Sequence, residues 1–334
     1  MLDADFLDKG RLRSILNCLS DGNFHSGEEL GTLLGVSRAA VWKQLQKLEQ
    51  LGIHVASVKG KGYSIAGGLD LLDVDILKEE LSVIGQNDWC QLNVVPFLDS
   101  TNTFLMQLPT AHAAICLAEV QTAGRGRRGR HWHSPFAQNI YLSIGWGFEG
   151  GAAALEGLSL ATGVAVVRAL ERLGFSGISL KWPNDVLYEQ KKLAGILIEM
   201  SGDPSGSCQV VVGVGLNVNM SLSVAPEIGQ PWTDLSLIAQ VLGIVHPGRN
   251  ILAAMLIDEL VQLLKSYSNT GFVAYKPEWE ARNAHKGLSV ELVSPVSCVS
   301  GVVLGVNPQG ALRLQTAEGE QLFYGGEISL RTAS

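Results

Sequence analysis

Four arginines, Arg125, Arg127, Arg128 and Arg130, fall within seven residues of the segment QTAGRGRRGRHWHSP (121–135), interleaved with Gly124, Gly126 and Gly129. Glycine lets the backbone approach a ligand closely, and guanidinium groups neutralise phosphate or carboxylate oxygens through paired hydrogen bonds. The physical reading is a flexible cationic lid over an anionic intermediate. The letters also satisfy G-x-G-x-x-G, but a dinucleotide fingerprint needs a helix that starts at the glycines. Here His131-Trp132-His133-Ser134-Pro135 follows without helical periodicity, and no G-x-x-x-x-G-K-[ST] phosphate loop occurs. An RNA-binding arginine patch stays open as the bland alternative, although such segments normally sit in disordered tails.

A second group is KWPND (181–185), ending one strand, with KLAGIL (192–197) opening the next. A short connection brings Lys181 and Lys192 toward one region with Asn184-Asp185 as the turn, which suits phosphoryl or acyl-phosphate handling; a mere turn explains WPND equally well. Asp99-Ser100-Thr101-Asn102 reads as an N-cap before a helix at Thr103, and its hydroxyls also suit a small polar ligand ring. In VVVGVGLNVN (210–219) a plain core strand is the simpler reading, yet Gly213 and Gly215 permit close approach and Asn217 offers an amide. His131 and His133 lack an evident third ligand, which disfavours zinc there.

The elements that must position these groups follow from periodicity. Helical spacing runs from Leu12 to Ser20. Ser26 and Glu29 have capping-box spacing before GEELGTLLG, which Gly35 ends, and Ser37 caps RAAVWKQLQKLEQLG, which Gly52 closes. In that third helix Val41, Leu45 and Leu48 share one face, while Ala39, Lys43, Gln46 and Gln50 fall opposite. Two short strands, Ile53 to Val58 and Tyr63 to Ala66, flank the turn Lys59-Gly60-Lys61-Gly62. The whole is a helix-turn-helix with a wing. From Arg38 to Lys61 five cations (Arg38, Lys43, Lys47, Lys59, Lys61) face one anion, Glu49, as expected of a DNA-reading module on an otherwise acidic chain of net charge -7. A helical interaction domain with a solvated basic face is the alternative.

Gly67-Gly68 makes a hinge, and LDLLDVDILKEEL (69–81) reads as an amphipathic helix. Strands over Gln91–Phe97, Ala114–Glu119, Ile140–Gly145, Gly177–Trp182, Leu193–Met200 and Gln209–Val218 alternate only partly with helices at Asn102–Leu108 and Glu156–Leu173. A further helix covers Arg249–Tyr267. That order favours an α+β unit with a mixed sheet and helices on one face. About five short strands from Leu288 onward suggest a small closed barrel. The expected division is 1–66, 67–283 and 284–334. The chain of 334 residues, 46% hydrophobic and 17% charged, is globular; five scattered cysteines without C-x-x-C, charges throughout the first thirty residues and no evident membrane-spanning run suggest a reduced, cytoplasmic protein with no membrane association.

GRGRRGRHW, KWPND, KLAGIL, GVGLNVN and the ending GGEISLR together resemble the bacterial biotin protein ligases. SGEELGTLLGVSRAAVWKQLQKLEQLG with KGKGYSI resembles the DNA-binding head of the bifunctional members, which are also biotin operon repressors. The resemblance spans residues 12 to 331 in order and implies a winged helix-turn-helix, a class II synthetase-like catalytic sheet and an SH3-like barrel. It further implies that biotin and Mg2+-ATP give biotinyl-5'-AMP, which acylates a lysine of the biotin carboxyl carrier protein of acetyl-CoA carboxylase. Carried over by position, Ser100, Thr101, Asn102 and Gln121 hold biotin, with Arg125, Gly126 and Arg127 closing around it. Lys192 and Arg127 are the catalytic pair. Arg127, Arg128, Arg130, Trp132, Asn217 and Arg331 face the ATP or adenylate. Ser37, Arg38, Ala39, Lys43, Gln46, Lys47, Lys59 and Lys61 meet operator DNA. The adenylate acts as corepressor by completing a homodimer surface; departures from the family at 202–207 and 221–231 bear on that dimer. A lipoate-type ligase and a noncatalytic ligand-sensing repressor are the competing classes, and the presence of the head, Lys192 and Arg127 argues against both.

Overall fold

The computed structural model describes residues 9–50, 52–203, 205–220, 228–294, 298–325 and 329–332. Three helices open it: α1 (Lys9–Leu19), α2 (Gly27–Leu34) and α3 (Arg38–Gln50). The expected capping box is made. Ser26 Oγ accepts from the Glu29 N–H at 3.0 Å and the Glu29 carboxylate accepts from the Ser26 N–H. Val41, Leu45 and Leu48 bury against Leu12, Ile15, Leu19 and Leu30, the face that the periodicity assigned to them. The wing strands β1 (Ala56–Val58) and β2 (Gly62–Ser64) are shorter than expected, because Ile53 and Ile65 leave the ribbon to plug that helical core.

The amphipathic helix expected from Leu69 begins only at Val74. Asp73 caps α4 (Val74–Val83), its Oδ1 accepting from the Asp75 N–H at 2.8 Å and the Ile76 N–H at 3.2 Å. Before it the chain is extended, and successive residues serve two cores. Leu69 and Leu71 pack on the head, while Leu72 enters the main core and donates its N–H to Glu119 Oε1 at 2.6 Å.

The central sheet has the order β3-β4-β5-β9-β8-β7-β6, built from β3 (Gln91–Leu98), β4 (Ala114–Gln121), β5 (Asn139–Phe148), β6 (Ile178–Lys181), β7 (Asp185–Tyr188), β8 (Lys191–Gly202) and β9 (Cys208–Asn217). Only β3 and β4 run parallel, so the sheet is mixed, as expected. Strand β7 was not anticipated: the turn is Trp182–Asn184, and Asp185 belongs to a strand. Helices α4, α6 (Leu158–Arg172) and α8 (Arg249–Thr270) cover one face, and the short α5 (Thr101–Met106) packs on the other. With the turn before it, α6 forms an apolar stretch of 22 residues (151–172), longer than the sequence reading allowed. Its Val164, Val166, Val167 and Leu170 are buried in the main core, each contributing about 1.5–3 kcal/mol of burial free energy.

Helices α7 (Leu235–Leu242) and α9 (Lys276–Ala281) lead to an antiparallel sheet ordered β13-β12-β11-β10-β14: β10 (Ser289–Val293), β11 (Cys298–Val306), β12 (Leu312–Thr316), β13 (Gly319–Phe323) and β14 (Ser329–Thr332). It is tied to the central unit where Trp182 Nε1 donates to the Gly310 carbonyl at 3.1 Å and the Val306 N–H donates to Glu280 at 2.6 Å.

A buried cation holds the junction of linker, sheet and α8. The Arg249 side chain, 2% exposed, donates to Glu119 Oε2 at 2.7 Å, to the Asp70 carbonyl at 2.6 Å and to the Asn139 carbonyl at 2.7 Å. Arg249→Met leaves Glu119, only 5% exposed, as an uncompensated charge and is expected to lower unfolding free energy by about 3–5 kcal/mol in denaturant titrations. Adding Glu119→Leu is expected to recover much of that loss; a double variant no better than the single one contradicts this account.

His285 is 3% exposed, and burial, with Lys181 nearby, pulls its pKa down to about 4. The unfolded imidazole titrates near 6.5, so below that pH the unfolded chain takes up a proton that the folded chain refuses. Stability is therefore full above pH 6.5 and falls as pH drops toward 4, by about 2 kcal/mol at pH 5. Denaturant midpoints measured at pH 7 and pH 5 check this, and His285→Gln is expected to remove the corresponding part of the slope.

Candidate functional site

A cleft of about 810 Å³ opens on the face of the central sheet opposite α6 and α8. Its floor is β8 and β9, where two glycines are required by close approach. A Cβ at Gly213 would stand 2.2 Å from Asn102 Oδ1, and one at Gly215 would stand 2.5 Å from the Trp132 ring. Gly213 and Gly215 thus let this chain's own Asn102 and Trp132 lie flat on the sheet.

One end of the cleft is neutral and hydrogen-bonding. The Thr101 N–H donates to Gln121 Oε1 at 2.9 Å, and Gln121 Nε2 donates to Ser134 Oγ at 3.3 Å. Ser143 Oγ, buried behind them, lies 2.7 Å from Thr101 Oγ1 and 2.6 Å from Asn102 Oδ1, so its single proton serves one of them at a time. Asn102 Nδ2 donates to Glu199 at 2.8 Å, and the same carboxylate accepts from Arg125 at 3.1 Å. Helix α5 begins at Thr101, ahead of the expected start at Asn102 or Thr103, and Ser100 occupies the N-cap position without a side-chain capping bond. These polar groups are locked by one another, a preorganised wall with few free rotors.

The other end is cationic. Apart from Arg125, which pairs with Glu199 at the wall, the cations among the described lining residues are Arg127, Arg128, Arg130, Lys181 and Lys192, and Asp185 is the one carboxylate. Lys192 Nζ lies 2.7 Å from Asp185 Oδ1 and 5.3 Å from the centre of the Trp132 ring, half-enclosed on both sides. Arg127 donates to Asn184 Oδ1 at 3.3 Å, and Asn184 Nδ2 donates to the Ile196 carbonyl at 2.8 Å. Burial pulls the Arg127 pKa below its usual value; Asp185 counters this while Arg128 and Arg130 reinforce it. A half-desolvated guanidinium among like charges favours an arriving anion. Arg128 sits at φ 60, ψ 31, a left-handed conformation that an arginine adopts only under strain of about 1–2 kcal/mol, in the one-turn 3-10 segment Arg127–Gly129.

The cleft lining brings together Ser100, Thr101, Asn102, Gln121, Arg125, Gly126, Arg127, Arg128, Arg130, Trp132 and Lys192 of the expected set. It does not include Asn217, which is buried with its amide donated to the carbonyls of Lys192 at 3.3 Å and Thr233 at 3.0 Å. Its place is behind the lysine, holding the β8 backbone. For Arg331 only the backbone in β14, opposite Glu291, is described; its side chain and residues 221–227 lie outside the described residues. Sequence reasoning missed Ser143 and Glu199. Ser143 carried a signal, the one serine in the apolar strand NIYLSIGW, whereas Glu199 reads as an ordinary strand-end charge.

In the head, Ser37, Arg38, Ala39, Lys43 and Gln46 are exposed on one side of α3, Lys47 is half-buried, and Lys59 and Lys61 are exposed at the wing tip. Trp42 lies in the midst of that surface, 53% exposed, and was not anticipated. The head and the cleft are joined by a short path. Trp132 lines the cleft, and four residues on Phe136 packs into the cluster formed by Leu12, Leu16 and Ile65, stacking on Phe97 with ring centres 5.6 Å apart.

Sheet, cleft and head together define a ligase with an attached DNA-binding head. Residues 94–217 match the Biotin/lipoate A/B protein ligase family, residues 11–64 an HTH domain and residues 297–331 the Biotin protein ligase C terminal domain. The chain is 40% identical over 323 residues to the Bifunctional ligase/repressor BirA of Escherichia coli (strain K12), covering 96% of this chain and 97% of that one. The Bifunctional ligase/repressor BirA of Bacillus subtilis (strain 168) is 31% identical, covering 92% and 94%. The chain belongs to this family of bifunctional biotin ligases and repressors. Among solved structures, the biotin protein ligase from Aquifex aeolicus in complex with biotin and ATP superposes with TM-score 0.63 at 29% identity, over 73% of this chain and all (100%) of that one.

Proposed function

We propose that the cleft joins biotin to ATP and passes the biotinyl group to a carrier-protein lysine, and that the adenylate made there governs operator binding by the head. The observation that carries this reading is one cleft with two chemistries: a neutral wall at Ser100, Thr101, Asn102 and Gln121, and a cationic end at Arg127, Arg128, Arg130 and Lys192. The wall suits the uncharged ureido ring of biotin. The cations suit the two anions that must meet.

In the first step a biotin carboxylate oxygen attacks the α-phosphorus of ATP, the bond to the β-phosphate oxygen breaks, and pyrophosphate departs. Lys192 and Arg127 meet the charge that develops on the α-phosphate. In the second step a deprotonated carrier lysine attacks the acyl carbon, AMP leaves with the electron pair of the C–O bond, and the amine releases its proton. Until that lysine arrives, an ordered 124–130 loop excludes water from the adenylate. Trp132 borders the adenine side, and the buried Asn217 acts indirectly by fixing the Lys192 backbone. Arg331 would reach the nucleotide from β14. Asp185, the cleft-lining carboxylate among the described residues, would hold a magnesium ion bound with the triphosphate, which would supply charge neutralisation of the phosphate oxygens.

The carrier protein proposed is the biotin carboxyl carrier protein of acetyl-CoA carboxylase, in the cytoplasm. Coupling to DNA runs through the 132–136 segment, since ordering at Trp132 bears on Phe136 in the head cluster, and adenylate-bound chains pair as a homodimer on a two-fold operator. On that operator Ser37, Arg38, Ala39, Lys43, Gln46 and Lys47 face the major groove with Trp42 among them, and Lys59 and Lys61 the backbone beside the wing. ATP–pyrophosphate exchange tests the chemistry: it should require biotin and be unsupported by lipoate. Operator affinity followed by fluorescence anisotropy should rise with biotin plus ATP; exchange without biotin, or unchanged affinity, defeats the respective half.

A further inference from the structure

At the junction of α1, α2 and the wing, three metal-ligating side chains converge from different segments. A Cys18 sulfur, a His25 ring nitrogen and a Glu29 carboxylate oxygen all lie within 4.8 Å of one another. Cys18 is on the last turns of α1, His25 is in the extended residues before α2, and Glu29 is in the first turn of α2. His25 Nδ1 is 2.9 Å from Glu29 Oε1, while Nε2 is 3.1 Å from Asp21 Oδ1 and 3.1 Å from Oδ2. His25, Asp21 and Glu29 are each also held by bonds outside the cluster. His25 exchanges backbone hydrogen bonds with Tyr63 at 2.8 Å in both directions, Asp21 accepts from the Asn23 N–H at 2.8 Å, and Glu29 is anchored by the capping box.

We propose that this cluster is a site for a divalent ion of the zinc class, liganded by Cys18, His25 and Glu29, with Asp21 orienting the imidazole. A mixed sulfur, nitrogen and oxygen donor set suits zinc rather than magnesium or calcium, which prefer oxygen alone. Zinc bonds of about 2.0–2.3 Å place tetrahedral ligand atoms roughly 3.3–3.8 Å apart, so no pair need close by more than about an ångström and the His25–Glu29 pair, at 2.9 Å, must open by a few tenths. Those are side-chain adjustments. Nδ1 turns to the ion while Nε2 keeps Asp21, the carboxylate–imidazole–metal arrangement that fixes a ligand's tautomer and orientation. Water fills the fourth position, and the thiol proton leaves to solvent as the thiolate binds. The ion ties the end of α1 to the start of α2 and, through the His25–Tyr63 bridge, to the wing, so the DNA-reading surface of the head feels its occupancy.

The test is cobalt(II) titration of the full chain, without nucleotide or biotin. One equivalent of cobalt should give a near-ultraviolet thiolate-to-cobalt charge-transfer band that zinc displaces. The band should vanish in Cys18→Ser. Glu29→Gln, which preserves the capping box, should weaken zinc binding at least tenfold in competition with a chromophoric chelator. Biotin-dependent pyrophosphate exchange should be unchanged in both variants. No charge-transfer band in the wild-type chain, a band that survives Cys18→Ser, or equal zinc affinity in wild type and Glu29→Gln overturns the proposal and leaves the cluster as an ion-pair lock.

Discussion

Replacing Lys192 with alanine is expected to cut adenylate formation by two to three orders of magnitude, measured as single-turnover pyrophosphate release, with far-ultraviolet circular dichroism unchanged. The reaction brings a carboxylate against an α-phosphate, and removing one donor that meets the developing charge typically costs about 3–4 kcal/mol. In the proposed mechanism Lys192 is that donor, and three contacts hold it: Asp185 at 2.7 Å, the Trp132 ring at 5.3 Å, and the strand carbonyl bonded by Asn217 at 3.3 Å. The variant also leaves Asp185 without its cation, which adds repulsion toward the incoming triphosphate. Asp185→Asn separates the two effects, since it frees the lysine without removing it. If its exchange rate falls as far as that of Lys192→Ala, Asp185 has a role of its own beyond positioning the amine. A Lys192→Ala chain that retained exchange within tenfold of wild type would remove Lys192 from the chemistry.

Arg127→Gly is expected to form the adenylate but hold it poorly, raising its release rate by about 10- to 100-fold, the loss of a charge-assisted hydrogen bond worth roughly 1.5–3 kcal/mol. Arg127 is braced by Asn184 at 3.3 Å and half-desolvated among Arg128 and Arg130, an environment that favours an anion beside it. Escaped adenylate acylates lysines on bystander proteins. Gel filtration of protein-bound adenylate and blotting of a bystander such as serum albumin read the two consequences. Retention equal to wild type would show that the other cations of the loop suffice.

The two predictions rest on parts of the molecule that were unequally legible beforehand. The head was readable almost residue by residue, because capping boxes, glycine stops and a 3.6-residue apolar period are local rules. The arginine loop read as an anion lid from its guanidinium groups and glycines, and the structure sets its four arginines in the lining of the cleft. The 69–81 segment misled for the same reason: Leu69, Leu71 and Leu72 fit a helical stripe, yet they are divided between two cores, and a helix cannot face both. Strand β7 was hidden inside what read as a turn, since four residues are too few to display a period. Glu199 was overlooked as a strand-end charge, and Asn217, expected on the nucleotide side, has its amide committed to the carbonyls of Lys192 and Thr233, a pairing that no local pattern announces.

By itself the sequence determined the chemistry available: the cations, the polar wall, the glycines that let it lie close to the sheet, and a basic helix-turn-helix head. Those depend on residue type and short spacing. Only the tertiary structure decided which cation meets which carboxylate, that Trp132 and Phe136 connect the cleft to the head, and that Cys18, Asp21, His25 and Glu29 share one pocket of space. Such pairings join segments far apart in the chain, or set side chains by the angle between two helices. They follow from how apolar surfaces pack, which no local pattern encodes.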